Sequence, residues 1–96
     1  MGTRLEELAA TARALAPGKT VTSYRRARHL PGIVQVTDYE LRDFSAETTE
    51  TIVRRIAAAL LAERKRGSEG HWSYSLTRHI ALQQAYAAEY DTLAGG

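Results

Sequence analysis

Cysteine is absent from the 96 residues, so neither disulfides nor thiolate zinc sites can brace the fold. That composition suits a reducing cytoplasm, which is the expected location. Proline occurs only at Pro17 and Pro31. Each is followed by glycine, and each pair is expected to close a helix. Long apolar runs are missing too. The longest, 56–62, is far short of the roughly 20 residues a membrane span needs. The start, Met1-Gly2-Thr3-Arg4-Leu5-Glu6-Glu7, turns charged at once, so no secretory leader is expected. No nucleophile elbow, zinc-protease helix, P-loop or dinucleotide fingerprint occurs. His29, His71 and His79 share no ligand spacing. An enzyme, a metal site and a cofactor are therefore not expected.

What is present is helical patterning within one domain, 1–96, divided at 44/45. The reading is all-α with four helices: an N-terminal helix, a short basic helix, and a long antiparallel hairpin over 45–94. Thr3 with Glu6 forms a capping box for a first helix over 4–15. Its face is Leu5, Leu8, Ala9, Ala12 and Leu15. A second helix is expected over 23–30, capped by Thr22. Residues 33–36 read as an ordered loop crossing the core, and 38–44 as a helical turn anchored by Tyr39, Leu41 and Phe44.

The third helix should begin at Ser45 or Asp43 and carry a stripe of Ile52, Val53, Ile56, Ala59 and Leu60. Cations at Arg64, Lys65 and Arg66 suit its last turn, with Gly67 as the expected left-handed cap. A short loop and a cap at Ser73 or Ser75 lead into the fourth helix, which runs to about residue 93. One of its seams is Leu76, Ile80, Gln83, Ala87, Tyr90 and Ala94. Both hairpin helices carry more apolar arc than one packed face needs, so a second copy or another partner is expected to cover the surplus. Ala57, Leu61, Trp72, Tyr86, Tyr90 and Leu93 are the expected interface. For Trp72 and Tyr74 the alternatives are an aromatic anchor for a partner and a staple closing the hairpin.

Net charge is only +2, but it is distributed in blocks. Lys19, Arg25, Arg26 and Arg28 are basic with no acid between them. Asp38, Glu40, Asp43, Glu47 and Glu50 follow, relieved only by Arg42. Arg54, Arg55, Arg64, Lys65 and Arg66 then oppose a single Glu63. Alternating blocks suit head-to-tail contacts between identical subunits, or simply solvated helix faces. Tyr24-Arg25-Arg26-Ala27-Arg28-His29 suits a phosphate backbone, because guanidinium forks bind oxygens and a ring can stack on a base. Lys19, Arg25, Arg26, Arg28, Arg54 and Arg55 are thus the expected nucleic-acid contacts. Changing Arg25 and Arg26 to glutamate should weaken DNA binding without unfolding the chain. The competing arrangement puts Tyr24 in the core and pairs these arginines with the acidic block.

Three stretches carry a resemblance. They are Tyr24-Arg25-Arg26 with His29-Leu30-Pro31, Ala62-Glu63-Arg64-Lys65-Arg66-Gly67, and Tyr74-Ser75-Leu76-Thr77-Arg78-His79-Ile80. Their order and spacing resemble a family of small alphaproteobacterial helical proteins associated with gene transfer agent clusters, beside the large terminase gene. The resemblance covers roughly 24–93. It implies a small-terminase role in phage-like DNA packaging: oligomerisation through a helical hairpin, DNA binding and engagement of the large terminase. Only 44 residues precede the hairpin, too few for the usual separate DNA-binding domain, so weak, sequence-nonspecific phosphate contacts are expected. Two other readings remain open. One is a protein-binding adaptor presenting Tyr86, Tyr90 and Leu93. The other is a small transcription regulator built on the first two helices.

Overall fold

The computed structural model of the protein describes residues 24–95, and within them the chain is helical with no strand. The helix expected over 4–15, Lys19 and the cap at Thr22 lie outside the described residues. Four α-helices follow: α1 (Arg26–His29), α2 (Asp38–Arg42), α3 (Ala46–Ser68) and α4 (Leu76–Gly95). A 3₁₀ turn, Leu30–Gly32, extends α1.

The second helix is shorter than its sequence pattern suggests. It begins only after Arg25, whose backbone is extended (φ −135°, ψ 123°) and whose side chain makes no cap. Pro31 sits in the first turn of the 3₁₀ segment, where a missing N–H leaves no bond unmade. Residues 33–37 run as loop, and Ile33, Val34 and Val36 lean on the core. At α2, Thr37 and Glu40 form a reciprocal capping box: Thr37 Oγ1 accepts from the Glu40 amide and Glu40 Oε1 from the Thr37 amide.

Ser45 caps α3 by accepting from the Thr48 amide, and Asp43 in turn accepts from Ser45 and Thr48. The far end of α3 differs from expectation. Gly67 is still helical, and the left-handed residue is Gly70 (φ 65°). Its amide donates to Gly67 O, and the His71 amide donates to Arg66 O at 2.8 Å. Those two bonds form a Schellman motif, which satisfies carbonyls the helix would otherwise leave open. The cations at 64–66 favour a helix end without fixing it; the residue that tolerates positive φ does. Ser75 caps α4, its Oγ accepting from the Arg78 amide.

α3 and α4 pack antiparallel along most of their lengths, and contact between them dominates the tertiary structure. Their shared core is Ile52, Val53, Ile56, Ala57 and Leu60 against Leu82, Ala85 and Tyr86, with Leu30 inserted from the 3₁₀ turn. A fully buried leucine or isoleucine contributes about 1.5–3 kcal/mol relative to exposure. The segment from Leu30 to Leu41 supplies much of the cover that the wide apolar arcs call for. Two expected interface residues are therefore corrected. Ala57 and Tyr86 lie inside the subunit, because neighbouring elements of the same chain close over them.

Candidate functional site

The Tyr-Arg-Arg motif divides between inside and outside. Arg26 is buried, and all five of its guanidinium N–H donors are used. Nε donates to Glu89 Oε2 at 2.9 Å and Nη2 to Glu89 Oε1 at 2.6 Å. Nη2 also reaches Thr49 Oγ1, while Nη1 donates to the carbonyls of Asp43 and Glu40. The guanidinium stands 4.0 Å from the centroid of the Phe44 ring. Tyr24 adds a bond to Glu89 Oε2 through its hydroxyl, and burial beside that carboxylate pushes its pKa up. One side chain thus joins α1, the end of α2, α3 and α4. A guanidinium this fully engaged has no donor to give a phosphate, which corrects the expectation for Arg26. The acids that were expected to pair with it contribute only backbone oxygens.

Arg25 and Arg28 point the other way. Both are exposed, and neither makes an ion pair among the described residues. His29 stacks on Tyr24, with ring centroids 5.8 Å apart, and bonds the Arg25 backbone amide through Nδ1. Arg54 and Arg55 are exposed but engaged: Arg54 with Glu50 and Arg55 with Glu40, each at 2.7 Å. Glu40 is held low, at about 2, chiefly by the Arg55 hydrogen bond.

A second buried network fastens the opposite end of the hairpin. Glu63 is fully buried in α3. Its Oε1 accepts from Arg78 Nε at 2.6 Å and from Arg66 Nη2 at 2.7 Å. Its Oε2 accepts from the Ser75 amide at 2.9 Å and from Arg78 Nη2. Arg78 also donates to the Ser73 carbonyl, so the hairpin loop is stitched to both helices. The Arg78 bond, with Arg66 and the Ser75 amide, holds the Glu63 carboxyl at about 2 despite burial. The sequence carries a signal for this residue, since Glu63 is the lone acid within a basic stretch. Its partner Arg78 is likewise the lone cation of the last stretch, set against Glu69, Glu89 and Asp91.

At the loop, Tyr74 lies against Gly67 so closely that a Cβ there would sit 2.8 Å from its Cε1. Tyr74 closes the hairpin, whereas Trp72 is 90% exposed and stacked on His71. Of the remaining expected interface residues, Leu61, Tyr90 and Leu93 are half-buried, with Tyr90 edge-on to Tyr86. The exposed apolar surface lies elsewhere. Leu76 and Ile80, one turn apart on α4, continue from Trp72, and Tyr39 and Phe44 protrude at the other end. Sequence patterning placed Leu76 and Ile80 on a seam of an over-wide apolar arc without marking them as its uncovered part.

Among the described residues no helix is long and apolar enough to cross a membrane, and no group of three or more His, Cys, Asp or Glu is placed to hold a metal ion. The chain matches no protein-family model, no curated protein and no solved structure.

Proposed function

We propose that the protein is a non-catalytic DNA-packaging accessory subunit that self-associates, contacts DNA phosphates weakly and engages a large terminase. The observation that carries the DNA contact is the division within the 24–29 motif. Arg26 is consumed as a structural tie, while Arg25, in the extended residue before that short helix, and Arg28, within it, are left exposed. Guanidinium groups held outward by a rigid frame suit a phosphate backbone, and nothing about them reads a base edge. The packaging role and the large-terminase partner rest on the resemblance of 24–93 to the gene transfer agent proteins.

The adaptor reading has lost its central residue, since Tyr86 lies in the core. The test is a fluorescence titration of a labelled random-sequence duplex at low salt, with an unrelated duplex as competitor. Binding that competes equally with both sequences, and that weakens when Arg25 and Arg28 are both changed to glutamate, supports the reading. Unchanged affinity in that variant, or a wild type that ignores DNA at low salt, overturns it.

A further inference from the structure

Exposed large apolar side chains gather at two places, and the two differ in charge. At the hairpin tip Trp72 is 90% exposed, Leu76 62% and Ile80 38%. Nearby, at the end of α3, Arg64 and Lys65 are exposed with no ion pair among the described residues, against a single exposed acid, Glu69. At the base, Tyr39 is 68% exposed and Phe44 61%. Tyr39, Asp43, Glu47 and Thr48 border one depression there. Asp38 adds charge beside it, and Arg42 is the one exposed cation of that segment. Asp43 is kept ionised by hydrogen bonds from Thr48 and Ser45.

Tip and base cannot meet within one subunit. Eighteen residues of continuous helix separate Glu47 from Lys65, about 27 Å at 1.5 Å per residue. We infer that copies of this chain join head to tail, the Trp72–Leu76 tip of one seating on the Tyr39–Phe44 base of the next. Each patch pairs aromatic or aliphatic surface with a rim mainly of one sign, basic at the tip despite Glu69 and acidic at the base despite Arg42, so apposition buries the apolar groups and brings opposite charges together. A self-paired tip would instead set Arg64 and Lys65 against their own copies. A head-to-tail contact of two different patches closes into a ring or runs on as a filament. The inference deepens the self-association in the proposed function by naming its partner surface. It does not depend on Arg25 and Arg28.

The experiment uses two full-length variants, each lacking one patch. Trp72→Asp blocks the tip, and Tyr39→Lys with Glu47→Lys blocks the base. Circular dichroism verifies that both fold. Wild type is expected to scatter as several times the 10.6 kDa chain. Each variant alone is expected to scatter as a single chain. Mixed in equal amounts, each supplies the patch the other lacks, so one dimer forms and growth stops there. Trp72 is the chain's lone tryptophan. In the mixture it comes only from the base-blocked variant, and its emission should move to the blue as it is covered. A wild type that stays a single chain, a Trp72→Asp variant that assembles like wild type, or a mixture that stays monomeric overturns the inference. The DNA titration of the same proteins judges the phosphate-binding reading separately.

Discussion

Replacing Arg26 with alanine removes five hydrogen bonds and leaves Glu89, which is 3% exposed, without its counter-charge. Breaking a buried ion pair from one side costs about 3–5 kcal/mol, because the surviving charge stays desolvated and unpaired. Domains of this size hold about 5–15 kcal/mol in total, so the loss is a large fraction of the fold. In a thermal melt followed by circular dichroism it corresponds to a drop on the order of 12–40 °C. Arg26→Lys should recover only part, since an ammonium cannot bond both Glu89 oxygens and the carbonyls in one plane. Arg26→Leu combined with Glu89→Leu should recover more than either single change, because no buried charge is then stranded. The joint change of Arg25 and Arg26 to glutamate, which the sequence alone suggested as a clean DNA-binding variant, is instead expected to unfold the protein through Arg26. An Arg26→Ala protein that melts within a few degrees of wild type yet loses DNA affinity would refute the assignment of Arg26 as a structural tie.

Acid should unlock the other end of the hairpin. Glu63 titrates at about 2 when folded and near its ordinary 4.5 when unfolded, so the stability it contributes is fully present above about pH 5 and drains away as pH falls toward 2. Urea midpoints measured from pH 6 to 2 should fall more steeply for wild type than for Glu63→Gln, and parallel curves would contradict this. Two glycines separate backbone strain from crowding. Gly70→Ala forces a Cβ into a left-handed backbone and should cost about 1 kcal/mol in urea unfolding. Gly67→Ala has helical geometry that favours alanine by up to about 1 kcal/mol, but its Cβ meets the Tyr74 ring at a cost of about 1–3 kcal/mol, and a net loss of up to about 2 kcal/mol is expected. Tyr74→Ala should turn that loss into a gain in the double variant, and a loss that persists would refute the crowding.

The hairpin was legible in the sequence because its signals are local. Ile52, Val53, Ile56 and Leu60 repeat at helical spacing, Ser45 and Ser75 sit where caps are needed, and the loop between is too short to do anything but reverse the chain. The side chains of the motif at 24–29 were not assignable from local signals. Arg25, Arg26 and Arg28 look alike in a charge count, and what separates them is Glu89, 63 residues away. Helical periodicity gave the width of the apolar arcs on α3 and α4 but not what covers them. Leu30, Ile33, Val34 and Val36 do much of that, which moved Ala57 and Tyr86 inside and left Trp72 as the exposed member of the expected interface. Gly67 and Gly70 are three residues apart: Gly70 takes the left-handed turn, and the close approach of Tyr74 accounts for a residue without a Cβ at 67.

The most direct measurement is the salt dependence of duplex binding, taken as the slope of log affinity against log salt. Each phosphate neutralised contributes about 0.9 to that slope. If Arg25 and Arg28 each hold one phosphate while Arg26 holds none, changing both outer arginines to neutral glutamine should flatten the slope by roughly 1.8, with the melting temperature unchanged. A slope equal to that of wild type would contradict the assignment of these two arginines to the DNA backbone.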